Sequence, residues 1–175
     1  VYRAMAGALP EGIATADYAV AAEDKPALAV TDTVAKRWGG RDLAALVRNC
    51  SGLRIGALTA TATPGVVGSC VLPGVQDYGY SATLFDALRS GAITAAWTTT
   101  TETALPAGVV LLADRKPALI PAQNVVALFR RNELDQMQLR AINEIAGVLD
   151  TASLVAMMAK VQAGADPRAV AEEWL

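Results

Sequence analysis

The chain has 175 residues, 53% of them hydrophobic but only 5% aromatic, and carries 15 basic against 17 acidic side chains for a net charge of −2. That length can bury about 70% of the surface exposed in the unfolded chain, while no apolar run approaches the roughly 18 residues of a membrane-spanning helix. No basic run is longer than Arg130-Arg131, so the footprint of a nucleic-acid binder is missing, and with two cysteines and no histidine there is no Ser-His-Asp triad, Cys-His pair or histidine metal site.

Taken in chain order, residues 2–9 read as a short helix ended by Pro10-Glu11-Gly12, and an irregular stretch follows up to Pro26. Residues 27–30 form a compact apolar strand. Thr31 or Asp32 then caps a helix running to Trp38, which Gly39-Gly40 ends. Asp42 opens a helix over 43–47, and 53–58 is the next strand. Residues 59–79 read as a long loop, since Pro64-Gly65, Gly68 and Pro73-Gly74 turn the backbone often.

A helix over 83–89, with Leu84, Phe85 and Leu88 on one face, stops at Gly91, and a strand runs from Ile93 to Trp97. Further strands cover 109–112 and 124–129. Three helices close the chain. The first carries Leu134, Met137, Ala141, Ile145 and Leu149 at three- and four-residue steps, with Glu133 and Asp135 at its positive end. Thr151 caps the second, and Asp166-Pro167 opens the third. Alternating strands and helices indicate an α/β fold with a mixed or parallel sheet.

Three blocks, in order, carry a resemblance to a known family. The first is residues 9–13 with 27–31, Val34-Ala35 and Arg41-Asp42-Leu43. The second is residues 70–75 with Tyr78-Gly79, 87–91 and the strand end Trp97-Thr98-Thr99. The third runs from Leu111 through Asp114, Pro121 and residues 124–130 to Asp166-Pro167 and Trp174-Leu175. Together they resemble the substrate-binding proteins of bacterial ABC importers for glycine betaine, choline and carnitine. The resemblance implies a periplasmic-binding-protein-like (type II) two-lobe fold, present as one complete lobe plus the C-terminal part of the other. Residues 1–26 would be a lobe-one remnant and hinge approach, 27–113 lobe two, and 114–175 the return through the hinge with the C-terminal helices of lobe one. The family's N-terminal strands and helices have no counterpart here, which points to truncation rather than completion by exchange with a second chain.

The implied function is capture of a small quaternary amine or related polar osmolyte between two lobes. The protein would be an extracytoplasmic, lipid-anchored subunit that partners a membrane permease, with no catalytic residue, cofactor or metal. Quaternary ammonium ions donate no hydrogen bonds and are held against ring faces. By resemblance Trp97 stands where the family places a cage tyrosine, although the end of an apolar strand also suits a core residue. Thr98 and Thr99 follow it, and Thr61 lies in the loop after the preceding strand. Pro26 and Gln123 stand where further cage tyrosines are common, and Val66-Val67 replace a basic residue that would clamp a carboxylate. One ring, several hydroxyls and an amide suit a ligand more polar, or less dependent on a carboxylate, than glycine betaine.

Tyr78 and Tyr80 read as structural, Tyr2 and Tyr18 carry no signal, and Asp42, Asp86, Asp114 and Asp135 read as caps or solvated charges. Spacing leaves open whether Cys50 and Cys70 are bridged or free; an exported protein, as the resemblance implies, would bridge them. The competing reading is a ligand-sensing regulatory module on the same fold.

Overall fold

Short capped helices and alanine-rich strands alternate along residues 2–175, the part of the chain that the computed structural model describes. They fall into two compact units. One is formed by the chain up to Asp24 together with Ala122–Leu175, the other by Lys25–Pro121.

The unit spanning Lys25–Pro121, unit two, is built on β2 (Pro26–Thr31), β3 (Ile55–Leu58), β6 (Val75–Tyr78), β7 (Ala95–Thr99) and β8 (Val109–Leu111), in the order β6-β3-β7-β2-β8. The sheet is mixed, as the alternation of elements indicates: β6 and β7 flank β3 in parallel, whereas β2 runs antiparallel to β7 and β8. Helices cover both faces. Alternation along β2 sends Leu28 and Val30 towards α2 (Asp32–Trp38) and α3 (Leu43–Arg48), in a cluster with Ile55 and Trp97, and sends Ala29 towards α4 (Ser81–Ser90), in a second cluster with Leu84, Phe85 and Leu88. A Cβ at Gly56 would lie 2.8 Å from side-chain atoms of Ile93, Leu84 and Tyr78, so glycine there lets these side chains seat closely on β3.

The helix boundaries in this unit follow local chemistry. The Thr31 hydroxyl accepts from Val34 N–H and Asp42 from Ala45 N–H, while Gly39 and Gly91 end α2 and α4 in the left-handed region. Residues 59–79, expected as a loop, instead contain the hairpin β4 (Val66–Val67) and β5 (Cys70–Val71) and the edge strand β6. The compact unit is also wider than 27–113. Asp114 accepts from the N–H groups of Leu119 and Ile120 and from the Lys25 ammonium, which folds the chain beyond Ala113 back onto the unit.

Unit one pairs β1 (Ile13–Glu23) antiparallel with β9 (Asn124–Arg130), with α1 (Tyr2–Gly7), α5 (Gln136–Val148), α6 (Thr151–Gln162) and α7 (Pro167–Trp174) around them. The eleven-residue β1 replaces the irregular stretch expected before Pro26. Its register shifts twice against β9, and its buried residues are Ala16, Ala19 and Ala22, every third rather than every second position. These irregularities hide the strand from a period-two reading. Thr151 is not the cap of α6. Asp150 is, accepting from Ser153 N–H, while the Thr151 hydroxyl accepts from Glu23 N–H at 3.0 Å and ties the helix to β1.

Candidate ligand-binding site

Three parallel strands of unit two end at one edge of its sheet. Leu58 pairs with Tyr78, and Gly56 with Ala96, so the carboxyl ends of β3, β6 and β7 open side by side. Antiparallel β2 begins at that edge, with Pro26 opposite Thr99 and Ala27 opposite Thr98. Backbone groups left unpaired beyond strand ends are what ligands meet in open α/β sheets. The edge therefore gathers Thr61, Tyr78, Thr98, Thr99 and Pro26 from segments far apart in sequence.

Hydrogen bonds set these side chains. The Thr98 hydroxyl donates to Glu102 Oε2 at 2.9 Å, Glu102 Oε1 accepts from Ala104 N–H, and the hydroxyls of Thr99 and Thr101 lie 3.1 Å apart. Lys25 N–H donates to the Thr100 hydroxyl, and Lys25 C=O accepts from Thr100 N–H. Neither Glu102 nor Lys25 is singled out by the sequence. The half-buried Glu102 places a carboxylate beside the hydroxyls, a fixed negative charge that suits a cationic solute. Its one sequence cue is its place four residues after Thr98, where a carboxylate in a Thr-rich turn reads as solvated.

Behind this edge, Lys25 Nζ and Asp114 Oδ2 lie 3.0 Å apart with both side chains 6% exposed. Burial pushes the Asp114 carboxyl up, but donation from Leu119 N–H, the Lys25 ammonium and Ile120 N–H outweighs it, and the carboxyl sits below its ordinary value.

Trp97 is placed differently from the cage expectation. The ring is 1% exposed, in the cluster with Leu28, Ile55 and Leu46, and its indole N–H is buried without a hydrogen-bond partner. On β7 it alternates with Thr98 and faces the α2/α3 layer, so burial favours the core role that the apolar strand also suggested. Gln123 belongs to unit one, where it lines a cavity of about 170 Å³ with Tyr2, Met5, Tyr18 and Asn124. The two tyrosine rings there have centroids 5.1 Å apart, so residues without a sequence signal form an aromatic wall next to Gln123. Tyr80 is 76% exposed at the start of α4.

Cys50 and Cys70 are disulfide-bonded, tying the end of α3 to β5. Among the described residues no group of acidic and cysteine side chains is arranged to hold a metal, and no helix is long and apolar enough to cross a membrane.

Residues 2–175 match the family model described as the substrate binding domain of ABC-type glycine betaine transport systems. The chain belongs to that family. Among solved structures it is similar to a glycine betaine/carnitine/choline ABC transporter protein, with a TM-score of 0.67 and 20% identity, covering 94% of this chain and 63% of that one. It is also similar to apo YehZ from Escherichia coli, with a TM-score of 0.62 and 18% identity over 94% of this chain and 65% of that one. An ancestral cationic amino acid solute-binding protein aligns at TM-score 0.54 and 13% identity, over 94% of this chain and 62% of that one. These likenesses establish the type II binding-protein fold. The chain spans 62% to 65% of the length of these solved proteins. No curated protein sequence matches it significantly.

Proposed function

We propose that the protein from which this chain comes is the extracytoplasmic solute-binding subunit of an ABC importer, capturing a small quaternary amine or related polar osmolyte and delivering it to a membrane permease. Unit two is read as lobe two and unit one as the C-terminal part of lobe one. The observation that carries this is the sheet edge of unit two, where Thr98, Thr99 and Pro26 lie by the Glu102 carboxylate and Thr61 stands in the turn that follows β3, in a chain matching the glycine betaine family over residues 2–175. Hydroxyls suit the polar end of such a solute, and the carboxylate suits its charge. Gln123 is retained as a candidate on the tyrosine-lined wall of unit one, and Trp97 is read as the packing beneath the edge. The Cys50–Cys70 disulfide supports an oxidising compartment, and a lipid anchor is the proposed means of retention there.

Calorimetry of the whole gene product against choline, carnitine and glycine betaine tests the reading. Binding of at least one of them at about micromolar Kd is expected, with choline, which has no carboxylate, bound at least as well as glycine betaine. Glu102→Gln should weaken it, since the fixed charge is lost. No binding of any quaternary amine by the whole product overturns the proposal.

A further inference from the structure

At the opposite end of the same sheet, where β2 finishes and β3 and β7 begin, unit two has a groove of about 430 Å³ with Leu88 and Ile93 at its floor. Arg37, Arg54 and Arg89 line it, together with Thr33, with Ser90, whose hydroxyl donates to Ala87 C=O, and with Thr94, whose hydroxyl accepts from Arg54 N–H; no acidic side chain lines it among the described residues. Arg54 is fixed, donating through Nε to Ala92 C=O and through Nη2 to Gly91 C=O, each at 2.8 Å. Those two bonds satisfy carbonyls of the turn that follows α4. Arg89 has only a loose neighbour, Asp86 at 3.8 Å, with both side chains mostly exposed. Arg37 makes no hydrogen bond or ion pair among the described residues.

The surrounding charge agrees with this. Unit two holds nine basic and six acidic residues, a net +3, whereas unit one holds six and eleven, a net −5. The basic excess lies with the unit that carries the groove, although the whole chain is acidic. Three like charges around one depression repel one another, and an anion between them relieves that. A carboxylate occupies one guanidinium fork, whereas a tetrahedral oxyanion presents oxygens in several directions and can meet more than one arginine and a hydroxyl together.

We propose that this groove, remote from the edge that faces the solute, is a binding site for a phosphate group, free or on a phospholipid headgroup. The probes are inorganic pyrophosphate, titrated calorimetrically at low salt, and phosphatidylglycerol vesicles in co-sedimentation. Arg37→Gln and Arg89→Gln are the variants. Lys36→Gln, which removes the same charge one position away on α2 and does not line the groove, is the control. Pyrophosphate binding that falls about tenfold in each arginine variant, the loss of one charge-assisted contact, and less than about twofold in the control, supports the site with free phosphate as its source. Vesicle binding alone with the same variant pattern supports it with a lipid source. Absence of both, or a Lys36→Gln loss equal to that of Arg37→Gln, overturns it, the second because it reports only diffuse charge.

Discussion

The two units use the same kinds of helix and reach different ends. In unit two, α4 carries an apolar stripe whose Leu84, Phe85 and Leu88 are all buried. In unit one, α5 carries a stripe of similar strength, yet neither α5 nor α6 has a buried residue, and Met137 and Val148 are 78% and 70% exposed. The strands differ likewise. Unit two has a five-stranded sheet with helices on both faces, while unit one has a two-stranded sheet in which β9 exposes Leu128 to 53%. Amphipathicity orients a helix, but only an opposing layer turns the stripe into a core, so within residues 2–175 stability should concentrate in unit two.

The contrast is sharpened most by Asp114→Ala. Removing one partner of a buried ion pair costs about 3–5 kcal/mol because the other charge is left uncompensated, and here Leu119 and Ile120 N–H also lose their acceptor. The midpoint of unit two in urea should fall sharply while the far-UV signal of α5 and α6 is little changed. The pH dependence has a definite sign. A carboxyl lowered on folding contributes stability above the unfolded value, about 3.9, and loses it as pH falls through the lower folded value. Acid titration from pH 5 downwards should therefore destabilise the wild type more steeply than the Asp114→Ala variant.

Paired truncations come next. Leu28, on β2 beside Trp97 of β7, is fully buried under the α2/α3 layer, and Leu28→Ala should cost about 2–5 kcal/mol. Leu154→Ala, on half-buried α6, should cost about 1 kcal/mol or less. Equal losses in chemical denaturation would mean that unit one holds as firm a core as unit two.

The same contrast explains what the sequence discloses. The strand over 27–30, the helices on either side of Gly39-Gly40 and the start of α7 at Asp166-Pro167 are legible because period, cap and stop coincide within a few residues. β1 is not, because bulges turn its burial into a period of three and alanine is its only buried residue type. β6 is exposed along most of its length and holds its place through backbone pairing to β3, which leaves no mark in side-chain pattern. At the candidate site the hydroxyls of Thr98 and Thr99 are legible as a run after a strand. The positions of Glu102 and Lys25 follow from hydrogen bonds between segments and are invisible one residue at a time. Trp97 shows the limit from the other side: a ring at a strand end suits a cage and a core equally until the facing helices are known.

The smallest expected effect concerns helix caps. Asp42 accepts from Ala45 N–H at the start of α3, and Asp135 accepts from Gln138 N–H at the start of α5 within a full capping box. Replacing a cap by alanine costs about 1 kcal/mol of helix stability, but where the cost appears depends on what the helix is packed against. α3 buries Leu43, Ala45 and Leu46 in the core of unit two, so it cannot fray without unpacking that core. Asp42→Ala should then shift the cooperative unfolding of unit two as a whole by about 1 kcal/mol. α5 has no fully buried residue and its inward face, with Leu139 and Ile142, is only half-buried, so its first turn can open alone. Asp135→Ala should lower helicity and speed amide exchange at the start of α5 while leaving the midpoint of unit two unchanged. A fall in the midpoint of unit two on Asp135→Ala would show that the two units unfold as one body and would remove the contrast on which these predictions rest.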